Sequence, residues 1–74
     1  MKIKFIWPFY GPDSKQTAEH HAVHLRDFSQ KHKLDAEVGV EGQNHAQHQA
    51  YLISDEEYLP LIKNSLRPTQ AFRV

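Results

Sequence analysis

The sequence predicts a small α+β fold, an antiparallel sheet with two helices on one face, and three features carry that prediction. Ile3, Phe5, Trp7 and Phe9 alternate with Lys2, Lys4, Ile6 and Pro8, which is the period-two pattern of a half-buried strand. Ala18, Leu25 and Ser29, with Phe28 at the edge, mark the inward stripe of a helix. Two further alternating runs and a second helical stripe, Leu59, Ile62 and Leu66, complete the pattern.

Taken in order, the first strand ends where Gly11-Pro12 breaks the alternation. Asp13 then suits a helix N-cap, because its carboxylate can accept from first-turn amides while Gln16 reaches back as a capping-box partner. The helix is expected from about Ser14 to His32. Lys31, His32 and Lys33 place positive charge at the negative end of its dipole. Ala36, Val38 and Val40 define a second strand that runs to Gly42, and the polar GQNH segment makes a loop. A third strand runs to about Ile53, with Ala46, His48, Ala50 and Leu52 on one side and Gln47, Gln49, Tyr51 and Ile53 on the other.

Ser54 with Glu57 forms a second capping-box pattern ahead of the second helix. Pro60 conflicts with a helix that starts that early, since beyond the first turn a proline removes a hydrogen bond and clashes with the preceding turn. The helix therefore begins late, near Tyr58, or is kinked; Pro68 ends it. The tail QAFRV can add a short last strand. Strand, helix, strand, strand, helix and this optional strand make a ferredoxin-like order, βαββα or βαββαβ, in one domain over residues 1–74.

A chain of 74 residues buries only a thin core. It has no cysteine, so neither disulfides nor thiolate–metal bonds can reinforce it. A partner subunit or a bound metal is the usual remedy at this size. MKIKFIWPFY lacks the apolar run and cleavage site of a signal peptide, so a cytoplasmic location is expected. No stretch approaches the roughly 20 apolar residues of a membrane span.

Formal charge sums to zero, but the charges are sorted along the chain. Up to Lys33 six basic residues face three acidic ones, from Leu34 to Glu57 all six charges are acidic, and from Tyr58 onward all three are basic. Nucleic acid is not an expected partner, because binding phosphates requires a basic excess.

EHHAVHLRDF, Glu19 to Phe28, holds three histidines within five positions. At helical spacing His21 leans towards the core, whereas His20 and His24 point outward with Asp27 and Lys31. Residues at i and i+4 are neighbours, so His20 and His24 could chelate zinc, copper or nickel, with Asp27 as an oxygen ligand. A second pair, His45 and His48, should point apart across its strand. The glutamate of a hydrolytic HExxH motif is missing. An enzymatic reading would use His21 or His24 as a general base near Tyr10, Asp13 or Asp27, with no phosphate loop, nucleophile elbow or cysteine to complete the site.

In this topology the first and third strands are central, and their outward residues include Ile6, Tyr51 and Ile53. These three are expected to form an exposed apolar strip suited to a protein contact. Tyr10, in the aromatic segment WPFYGP, is a further candidate anchor. The leading expectation is thus a protein-binding or regulatory module that meets a larger protein or a second copy of itself through Ile6, Tyr51, Ile53 and Tyr10. A histidine-based metal-binding protein is the alternative, and a small dimeric enzyme with a histidine base the third reading.

Overall fold

Alternation at the start of the chain becomes a nine-residue strand, β1 (Lys2–Tyr10), in the computed structural model, which describes residues 1–74 apart from the side chain of Gln43. A helix, α1 (Ser14–Lys31), follows; then come strands β2 (Glu37–Asn44) and β3 (Gln47–Asp55). A 3-10 turn (Glu56–Tyr58) leads into helix α2 (Leu59–Leu66) and the last strand, β4 (Gln70–Arg73). The strands lie in the order β2-β3-β1-β4, and every neighbouring pair is antiparallel. This is the ferredoxin-like order, with the optional final strand present.

Register decides which residues share a face. Phe5 lies opposite Leu52 and Ala71, and Trp7 opposite Ala50. Ile3, Phe5, Trp7, Ala50 and Leu52 therefore project to one side, where they form a single core cluster with Leu25 of α1 and Ile62 of α2. Both helices cover that side. Ala22 and Ser14 join the predicted inward stripe of α1. Trp7 also ties the two ends of the chain together, because its indole Nε1 donates to the Leu66 carbonyl at 2.8 Å.

Neither capping box forms. Asp13 occupies the N-cap position of α1 without a side-chain bond to the helix amides; instead the Thr17 hydroxyl donates to the Asp13 carbonyl at 3.0 Å. Ser54 still belongs to β3, which continues two residues past Ile53, and it points into the core opposite Ile3. The 3-10 turn resolves the conflict at Pro60: α2 starts at Leu59, so the proline sits in the first turn, where its missing N–H leaves no bond unmade.

Turns fix the remaining geometry. Gly11 adopts φ +106°, a region closed to most side chains, while its amide donates to the Ala46 carbonyl at 2.8 Å. This brings the end of β1 against the β2–β3 turn. At the far end of α1, Lys33 takes a left-handed φ of 56°, and Leu34 N donates back to the Ser29 carbonyl at 2.8 Å. No helix among the described residues is long and apolar enough to cross a membrane.

Candidate functional site

The side of the sheet away from the helices is uncovered. Pairing places Ile6 beside Tyr51 and Gln70, and Lys4 beside Ile53 and Phe72. Ile6, Tyr51 and Ile53 are thus on one face, as their alternation predicts. Exposure differs from the expectation for one of them: Ile6 is only 4% exposed, while Tyr51 and Ile53 are half-buried. Side chains on β3 and β4 flank Ile6 from both sides, and a pattern read along one strand contains no information about such cross-strand cover. Phe72, 46% exposed, extends the strip onto β4. Tyr10 is 70% exposed and has the same parity, but it stands at the far end of β1 opposite Gln47, separate from the strip.

Polar residues hold this surface in place. Glu41 of β2 accepts from Lys4 Nζ at 2.7 Å and from Gln49 Nε2 at 2.9 Å, so three strands are joined through one carboxylate. The Lys4 hydrogen bond, assisted by that from Gln49, holds the Glu41 carboxyl below its ordinary pKa against the opposing effect of burial. Lys4 Nζ also lies 4.8 Å from the Tyr51 ring centroid. Tyr51 leans across β2 at Gly39, its partner in the ladder, where an added Cβ would come within 2.5 Å of the phenol oxygen. A glycine at this position is what lets the ring lie so low.

Three histidines of α1, His20, His21 and His24, lie on the opposite side of the sheet. Phe9, Gln16, Thr17, His20, His21 and His24 line an open groove of about 400 Å³ along α1. As predicted, His21 leans inward, its ring 5.2 Å from that of Trp7 and 5.5 Å from that of Phe9. Its Nε2 is buried without a hydrogen-bond partner among the described residues. Burial, and secondarily the neighbouring His24, lowers its pKa from the ordinary value. His20 and His24 are exposed, with ring centroids 5.0 Å apart. Asp27 does not line this groove. Among the described residues no three His, Cys, Asp or Glu side chains are grouped to hold an ion, so His20, His24 and Asp27 do not form the predicted three-ligand cluster.

His45 and His48 do part company. His45 is exposed in the β2–β3 turn, whereas His48 turns to the helix side, its Nδ1 2.7 Å from Ser14 Oγ. This contact joins residues 34 apart and has no local sequence signal. Ser14 is 1% exposed, so the pair clamps the start of α1 to β3 and offers no accessible nucleophile. In comparisons with known proteins, no family model, curated protein or solved structure matches this chain.

Proposed function

We propose that this chain is a small protein-binding module that self-associates through the open face of its sheet. The supporting observation is the strip of Tyr51, Ile53 and Phe72 around Ile6, on the only sheet face that the helices leave bare among the described residues. The four strands, of nine, eight, nine and four residues, cover roughly 480 Å² in projection before side-chain relief is counted. Stable interfaces bury about 800 Å² per partner. The bare face is smaller than that in projection, so a second copy has to engage the relief of its side chains and the loops at its rim as well, and a thin, cysteine-free core gives such a chain a reason to bury more apolar surface.

One symmetric arrangement fits the pattern of residues best. A two-fold axis parallel to the strands lays β1 of one copy over β3 of the other, with the usual offset of about 30° between packed sheets. Tyr51 then faces Ile6 of the second copy, and Lys2 faces Asp55 of the second copy. An axis perpendicular to the strands would instead set β2 over β2, with Glu37 and Glu41 of the two copies brought together.

The test is sedimentation velocity over a concentration series, with Tyr51→Arg as the variant. Wild type is expected to dimerise, and the variant to dissociate at least about tenfold more readily, a change of about 1.4 kcal/mol, with an unchanged circular dichroism spectrum. A variant that associates as well as wild type, or a wild type that stays monomeric throughout, rules the reading out.

A further inference from the structure

We propose that His20 and His24 form a two-imidazole site for a borderline divalent transition-metal ion, with copper(II) bound most tightly and zinc and nickel less so. The inference is independent of self-association, because the pair lies on α1 and the proposed interface on the far side of the sheet. It rests on the geometry of the rings and on their freedom from other bonds.

An ion about 2.05 Å from an imidazole nitrogen lies about 3.2 Å from the ring centroid, so two rings sharing it at 90–109° would have centroids about 4.5–5.2 Å apart. The observed 5.0 Å falls in that interval. The rings are inclined at 64° to each other, so they are not stacked face to face, which would aim their nitrogens away from a common point. Both belong to the middle of an 18-residue helix, one turn apart, so the backbone presents them as a rigid pair. Neither ring makes a protein hydrogen bond with the described residues, and both are exposed, so no existing bond has to be given up.

The groove also changes the third-ligand assignment. Gln16, one turn before His20, lines it, whereas Asp27 does not. A neutral amide oxygen and water would complete the coordination sphere, which keeps the site's charge that of the ion. Two imidazoles with open positions favour copper(II) by the usual order of divalent affinities.

The test is calorimetric titration of metal-free, untagged protein with copper(II), then zinc, in a non-coordinating buffer at neutral pH. The two rings act as a chelate, so removing one is expected to weaken binding by about 100-fold. His20→Ala and His24→Ala should each show this loss, while His32→Ala, at the C-cap of the same helix, keeps the wild-type affinity. Zinc titration followed by NMR should move the ring signals of His20 and His24 and leave those of His48 in place. Equal affinity in wild type and either alanine variant would overturn the site, as would a wild type that binds neither ion. All four proteins are compared by thermal melts, and all three substituted residues are exposed, so loss of fold is distinguishable from loss of ligand. Repeating the titration on Tyr51→Arg separates this site from the proposed interface: affinity should be unchanged there, and a matching loss would overturn the two-histidine assignment.

Discussion

The two faces of the same sheet bury their central residues by different means. On the helix side Phe5, Leu52 and Ala50 are inaccessible because whole elements, α1 and α2, press upon them. On the open side Ile6 is nearly as inaccessible, yet its cover consists of side chains from adjacent strands. The lesson is that low exposure has two mechanical meanings. A helix-covered residue sits where a deletion leaves a hole, whereas a residue under side-chain cover sits where neighbours and water can move in.

The largest expected effect tests this contrast directly. Phe5→Ala should cost about 3–5 kcal/mol, and Ile6→Ala about 2 kcal/mol, the low end for a buried aliphatic residue, because its surroundings can relax. Urea denaturation of the two variants measures the difference; equal losses would show that the open face is packed as tightly as the covered one. Next in size is Gly39→Ala. Its methyl group would meet the Tyr51 phenol, so the ring must lift from β2, at about 1–2 kcal/mol for an overpacked contact. A displaced Tyr51 ring signal with a modest fall in stability is the expected outcome, and unaltered ring shifts would mean that the tyrosine is not held down at Gly39.

Glu41→Gln is the smallest of the three, below about 1 kcal/mol for a partly exposed pair. Here pH sharpens the comparison. The folded state lowers the carboxyl pKa, so the unfolded chain binds its proton first. The stabilisation is fully present above the ordinary carboxyl value of 4.5 and is lost as pH falls through the lower folded value. The stability gap between wild type and Glu41→Gln should therefore close in acid, and a gap independent of pH would assign the effect to packing.

Alternation made β1 and β3 legible together with the faces their residues occupy, and helical spacing revealed α1 and its inward His21. Pro60 located the start of α2 even though the mechanism, a preceding 3-10 turn, was not visible. What local sequence could not supply was everything set by a neighbour distant in the chain. Ile6 reads as exposed until Tyr51 and Gln70 are placed beside it, and Ser14 gives no hint of His48. Ser54 looked like a cap because Ser and Glu at that spacing suit a helix start; the pull of the core opposite Ile3 extended the strand instead. The histidine pair was legible from i and i+4 spacing, but excluding Asp27 from the groove required the shape of the groove itself.

The strand order has a consequence for how the chain reaches this state. β1 sits second from one edge, and both of its ladder partners, β3 and β4, come from the second half of the chain. α1 and the β2–β3 hairpin can assemble from nearby residues within microseconds, but β1 gains no sheet hydrogen bond until a long loop has closed. Such distant pairing slows folding relative to a helical bundle of equal size. During that interval the most apolar strand of the protein has two unpaired edges, and the speed with which β3 closes over it sets the window in which one chain can mistake another for itself.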